Sequence, residues 1–158
     1  MNLIESRNIK VKTWLNRYMY DKREVRRLEQ EYDELVESQE GVKGVAYDGI
    51  RIMSGGDNTA DLANMIISRD ANLTRLITAR SKLEQTRNEI SETISLIPDT
   101  DGCKAEIIRT VLSQRYILLD GLDQQKWEMI CINADISWSR VHKYHSAGLK
   151  ALAILLGY

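Results

Sequence analysis

The sequence predicts an all-α protein: a long, coiled-coil-like helical hairpin on the N-terminal side and a helix-turn-helix domain on the C-terminal side. Three observations carry this. Two long stretches repeat apolar residues in alternating steps of three and four, the period of a heptad seam. One proline stands in 158 residues, so long helices run without the donor loss and steric clash that proline brings. Beyond Pro98 the pattern changes to short helical segments separated by glycine and aspartate.

The first seam is Val11, Trp14, Tyr18, Val25, Leu28, Tyr32 and Leu35, with Asp21 at the one skipped position. Lys22, Arg23, Glu24, Arg26, Arg27, Glu29 and Glu31 lie between these positions. Charges three or four apart stabilise a solvated helix by roughly 0.2–0.5 kcal/mol per pair. The spacing predicts a helix over 5–39. Gly41, Gly44, Gly49, Gly55 and Gly56 follow. Each glycine costs a helix about 1 kcal/mol relative to alanine, so 41–58 reads as a Gly-rich loop. Within it, "VAYDGIRIM" is a candidate for a short extended piece.

The second seam is Leu62, Ile66, Arg69, Leu73, Leu76, Arg80, Leu83, Arg87, Ile90, Ile94 and Ile97. A buried charge without a partner is costly. The seam arginines must therefore snorkel, pair with acids on another helix, or face an open seam. Asp57 or Thr59 is the candidate N-cap. Pro98 ends the helix, because the residue before proline is pushed out of the helical region. Two seams joined by a loop predict an antiparallel hairpin over 1–98. Neither helix can bury its stripe alone, so a homo-oligomer is expected.

Residues 99–158 form the predicted second domain. Asp99 or Asp101 caps a helix bearing Ile107, Ile108, Val111, Leu112 and Tyr116. Gly121 is the expected left-handed residue after a helix end. A helix over Gln124–Asn133 carries Trp127, Ile130 and Cys131, and "NADIS" turns the chain. Ser137 is the N-cap of the last helix, its hydroxyl accepting from a free backbone amide. "ALAILLGY" extends that helix over apolar surface and is a candidate subunit contact.

Two short helices joined by a tight turn read as a helix-turn-helix. Ile130 and Val141 pack between the helices, Ile136 seals the turn, and Leu149 lies deeper. Trp138, Ser139, Arg140, His142 and Lys143 are left near the outer face of the first turns. The formal net charge is −1, so no global nucleic-acid signal exists and any basic surface must be local. It is local here: residues 136–158 contain Arg140, Lys143 and Lys150 and no acid. Arg140 and Lys143 would be mere solvated charges on an arbitrary helix. At the start of a recognition helix they read as base or phosphate contacts. Trp138 is open to DNA, through a thymine methyl or a sugar, or to a protein partner. Trp127 and Tyr144 take core spacings, and His145 reads as a packing or phosphate-adjacent residue.

The stretch "LSQRYILLDGLDQQKWEMICINADISWSRVHKYHSAGLKAL" resembles the end of the late transcription regulators of Gram-positive phages, the RinA/ArpU-like family. The matching residues are Arg115-Tyr116, Trp127-Glu128-Met129-Ile130, Ser137, Val141-His142, His145 and Leu149. "VKGVAYDGIRIMSGGDNTADLANMI" resembles the family's middle loop and the start of its second helix. The C-terminal part is similar in turn to the promoter-reading helix-turn-helix of sigma factors. The resemblance implies DNA contacts at Ser137, Trp138, Ser139, Arg140, His142 and Lys143. It implies a DNA-binding regulator, an activator of phage late packaging and structural genes, whose partners are promoter or operator duplex DNA, further copies of itself and RNA polymerase. Gly148 stands where the family has alanine, which is expected to weaken the helix slightly.

Other classes find less support. "MSGGDNT" lacks the lysine of a phosphate-binding loop, and the acids scatter over helix surfaces, so no enzyme and no cofactor is expected. His142 and His145 lie three apart, with Cys131 a possible neighbour, but a structural zinc site wants four ligands at set spacing. No metal is expected. No apolar run approaches 18 residues, and residues 1–20 do not read as a signal peptide. Cys103 and Cys131 stand without CxxC pairing, which agrees with a reducing, cytoplasmic setting in a bacterial host. Two rivals stand beside the regulator: a small terminase subunit on packaging DNA, and a coiled-coil scaffold without DNA binding.

Overall fold

A computed structural model describes residues 3–45 and 58–158, with side chains over 4–39 and 60–158. The described residues form helices α1 (Leu3–Val45), α2 (Asn58–Ser95), α3 (Ala105–Tyr116), α4 (Trp127–Ala134) and α5 (Trp138–Leu155). Among them β-pairing is confined to isolated bridges, Thr100 with Cys103 and Asp120 with Asp123, that close tight turns. The protein is therefore all-α, as the periodicity predicts. Helix α1 runs through Gly41 and Gly44 to Val45, past the loop boundary expected at 41. Carbonyl-to-amide bonding of a long helix absorbs two glycines at about 1 kcal/mol each. The extended piece expected in "VAYDGIRIM" and the Asp57 and Thr59 caps lie outside the described residues and side chains.

Contacts gather into two compact units, Met1–Arg23 with Leu83–Tyr158, and Glu24–Lys82. Pro98 does follow the end of α2, but the last turns of α2 and the first turns of α1 share a core with the C-terminal helices.

Within Glu24–Lys82 the first seam is buried at Val25 and Leu28 and half-buried at Tyr32 and Leu35. The second seam is buried at Leu76, whereas Leu62, Ile66 and Leu73 are 55%, 53% and 38% exposed. Arg80 Nη2 meets Glu29 Oε1 at 2.7 Å, Arg69 Nε donates to the Tyr32 hydroxyl at 3.3 Å, and Gln39 Nε2 donates to the Met65 carbonyl at 3.2 Å. The partners' order reverses along the chain, so the helices run antiparallel. Two of the seam arginines thus find partners on α1, and Arg87 pairs with Glu84 on its own helix at 3.8 Å. These pairs are exposed and each contributes about 0–1 kcal/mol.

In the other unit, Val11, Trp14, Leu15 and Tyr18 of α1 cluster with Ile90 and Ile94 of α2, Ile108, Leu112 and Tyr116 of α3, and Ala147 to Ala153 of α5. Asp21, the acid in the skipped seam position, accepts a 2.7 Å hydrogen bond from the Thr86 hydroxyl, and Thr86 is itself buried. A polar pair replaces an apolar one at that layer. Arg109 donates from Nε and Nη2 to the Ile97 carbonyl at 3.0 and 2.6 Å. That carbonyl lies just past α2, where helix-end acceptors lack internal partners. The Asp99 carboxylate accepts from the Ala105 amide at 2.6 Å, so it serves the start of α3 although Lys104 is the cap residue. Asp101 does not cap α3. It takes a left-handed conformation (φ 53°) beside Gly102 (φ 71°) in the Thr100–Cys103 turn. Its carboxylate meets Lys150 at 2.6 Å.

Gly148 corrects a sequence expectation. It is buried, and a Cβ there would lie 2.8 Å from Leu112 Cδ1 and 2.9 Å from Ile108 Cγ2. The glycine does not merely weaken α5; it lets α5 lie close on α3. Gly148→Val should cost about 1–3 kcal/mol by overpacking, read as a lower thermal midpoint. Ser146→Ala, at an exposed neighbour, should leave the midpoint within the range of ordinary surface changes. Equal midpoints for the two variants would contradict the packing argument.

Candidate nucleic-acid interface

Helices α3, α4 and α5 share a second small core. Val111, Ile130 and Val141, one from each helix, are fully buried, with Ile107, Trp127, Cys131, Ile136 and Tyr144 packed around them. Helix α4 begins at Trp127 and ends at Ala134, three residues later at its start than the spacing predicts. The connection before it is pinned instead of helical. Arg23 donates to the Leu122 carbonyl at 3.0 Å and pairs with the Asp123 carboxylate, and Gln124 Nε2 donates to Asn16 Oδ1. Gly121 is left-handed, as expected (φ 64°), but it sits in the Asp120–Asp123 turn, not directly after α3, which ends at Tyr116.

The α4–α5 turn occupies residues 135–137. Asp135 is left-handed (φ 51°, ψ 49°), a conformation that aspartate adopts more readily than most residues. The Ile136 amide donates to the Cys131 carbonyl at 3.1 Å and the Asp135 amide to the Ile132 carbonyl at 3.4 Å. That pair of bonds is a Schellman motif, which ends α4 and turns Ile136 into the core. Ser137 is extended and occupies the N-cap position of α5. Its hydroxyl makes no cap bond, contrary to the expected role. It lies 3.3 Å from Ser139 Oγ, so the two hydroxyls bond to each other. No side chain of the cap residue competes for the first amides of α5.

Ser137, Trp138, Ser139, Arg140, His142 and Lys143 are all exposed, Trp138 by 52%. Among the described residues Arg140 and Lys143 have no ion-pair partner. Lys150, the third base of the acid-free segment, is instead paired with Asp101.

The rings behind this surface form a connected series that the sequence reading did not anticipate. Trp138 lies against His142 (centroids 5.0 Å apart), and His142 lies against Trp127 (4.9 Å). Trp127 meets His145 edge-on at 4.9 Å. His145 Nε2 and the Tyr116 hydroxyl share a hydrogen bond of 2.9 Å. The Arg115 guanidinium sits 4.4 Å from the Trp127 ring centroid and donates from Nη1 to the Gln125 carbonyl. Spacings of four (Trp138, His142) and three (His142, His145) signal neighbours on a helix surface. The Arg115–Trp127 contact joins separate elements and carries no such signal.

Burial shapes the charges here. His145 is buried, and its pKa falls to about 4, first through burial and then through Lys12, Arg115 and His142. Burial raises Tyr116 to about 12 and lowers Arg115. His145 is therefore held neutral in a packed position, the first of the two roles expected of it. Its folded pKa lies below the ordinary 6.5, so below that pH the unfolded chain binds more protons. The stabilisation is complete above about pH 6.5 and is lost as the pH falls towards about 4. On the order of 2–3 kcal/mol is at stake. Melting curves from pH 7 to 4 should show a drop in midpoint that His145→Leu lacks; parallel curves would contradict it.

No group of three or more His, Cys, Asp or Glu side chains is placed to hold a metal ion among the described residues. None of the described helices is long and apolar enough to cross a membrane. No family model, curated protein or solved structure matches the chain.

Proposed function

We propose that this chain is a sequence-specific DNA-binding transcriptional regulator, in which the first turns of α5 dock in a major groove. One observation carries the reading. At the start of α5, read here as the second helix of a helix-turn-helix, Arg140 and Lys143 are exposed and have no acidic partner among the described residues, beside an exposed Trp138. Recognition helices reach base edges with these N-terminal residues. In this mechanism Arg140 makes a bidentate contact to guanine, Lys143 neutralises a phosphate, and Trp138 covers a thymine methyl or a sugar. Ser137, Ser139 and the uncapped amides of α5 offer donors to the phosphate backbone, where the helix dipole favours negative charge. His142 completes the face.

The sequence resemblance to the RinA/ArpU-like regulators supports activation of phage late genes as the biological setting. The exposed Leu62, Ile66 and Leu73 stripe of α2 supports a homo-oligomer that would present several α5 helices to spaced half-sites.

The test is retention of duplex fragments from the genome that encodes the chain, resolved by gel shift over a salt series. Fragment-selective retention that weakens steeply with salt is expected, because phosphate neutralisation releases counterions. Lys143→Ala should reduce the log–log salt slope by about 1 while leaving fragment preference intact. Retention of no fragment even at low salt would favour the protein-only scaffold.

A further inference from the structure

We infer that Arg115 and Trp127, which lie behind the α5 surface, are positioning residues that set the His142 and Trp138 rings for contact with DNA. This rests on the DNA-reading proposal above. The two partners come from different elements, the last turn of α3 and the first residue of α4. Arg115 has two ties. Its guanidinium lies over the Trp127 ring at 4.4 Å, and its Nη1 donates to the carbonyl of Gln125, two residues before Trp127. It therefore holds both the tryptophan and the backbone that leads into it.

Trp127 in turn touches His142 at 4.9 Å, and His142 touches Trp138 at 5.0 Å. Both of the latter are exposed and stand on the outward turns of α5. An exposed imidazole and an exposed indole ordinarily sample several rotamers, and ordering them on binding costs affinity. Here each ring leans on the next, and the series ends on a half-buried cation fixed by a ring face and a carbonyl. The rings are ordered before any ligand arrives. The guanidinium of Arg115 is engaged by Trp127 and the Gln125 carbonyl, so its part is positioning and not reading.

The experiment compares wild type, Arg115→Gln, Arg115→Lys, Trp127→Leu and Arg140→Ala, each well below its own melting point. Two quantities are read: the His142 ring resonances by NMR without DNA, and affinity for the best-retained duplex. Arg115→Gln and Trp127→Leu should move the His142 resonances, because the ring current of a fixed Trp127 is lost or redirected. Arg115→Gln should weaken duplex binding about fivefold, the change that a cation–π contact of ordinary strength converts to. Arg115→Lys keeps the charge but not the planar stack and should recover part of both signals. Unmoved His142 resonances overturn the inference. So does wild-type affinity in Arg115→Gln when Arg140→Ala is weakened. If Arg140→Ala also binds like wild type, the DNA-reading proposal is what fails, and the resonances still decide whether Arg115 sets the His142 ring.

Discussion

Arg140→Ala is expected to reduce affinity for the preferred duplex about tenfold to hundredfold while leaving affinity for unrelated duplex nearly unchanged. The size follows from the roughly 1–3 kcal/mol that a bidentate arginine–guanine contact contributes to discrimination. Thermal stability should stay within about 0.5 kcal/mol of wild type, since the side chain is exposed and holds no ion-pair partner among the described residues. Loss of preference at constant stability is the signature of a reading residue. The same loss accompanied by a lower melting point would instead indicate a structural role. Competition binding with preferred and scrambled duplexes, run beside a thermal melt, separates these outcomes.

Ile130→Ala should have the opposite profile. Ile130 is fully buried and packs with Val111 and Val141, the residues that join α3, α4 and α5. Truncating it removes apolar surface and leaves a cavity at the junction, which costs about 2–5 kcal/mol. The melting midpoint should drop by roughly 4–20 °C, given the shift per kcal/mol typical of chains of this size. Ile132 lies two residues along the same helix but is 71% exposed, so Ile132→Ala should change stability by no more than about 0.5 kcal/mol. Duplex binding by Ile130→Ala should recover on cooling to temperatures where it is folded, because the reading residues themselves are unchanged. Calorimetric or circular-dichroism melts check the contrast. Equal midpoints for the two variants would mean that the three helices do not share this core.

These two variants also mark what the sequence could and could not reveal. Ile130, Val141 and Ile136 were legible because a short helix, a turn and an amphipathic helix fix which residues must face one another. The exposure of Arg140 and Lys143 followed from the same geometry. The period of the second seam was legible too, but period names a face and not its cover: Leu62 and Ile66 sit on the stripe and remain open. The seam arginines are expected to snorkel, to pair with acids on another helix or to face an open seam, and Arg80 does meet Glu29 of α1; the tyrosine hydroxyl that Arg69 finds and the Glu84 of its own helix that Arg87 finds are not told by the period. Ser137 was placed correctly as the cap residue, while the direction of its hydroxyl depends on a single torsion that sequence does not encode. Gly148 looked like a weakness because propensity is local, whereas the space it leaves is defined by Leu112 and Ile108 of α3. The Arg115–Trp127 contact was hidden for the same reason, since it bridges two elements across a loop held by Arg23 and Asn16.

The most direct measurement is an amide-shift map of the isotopically labelled chain titrated with its best-retained duplex. The account predicts that the largest changes fall on Ser137 to Lys143, with smaller ones on the turn before them and little over 24–82. Changes concentrated on the hairpin, with the start of α5 silent at saturating duplex, would contradict it.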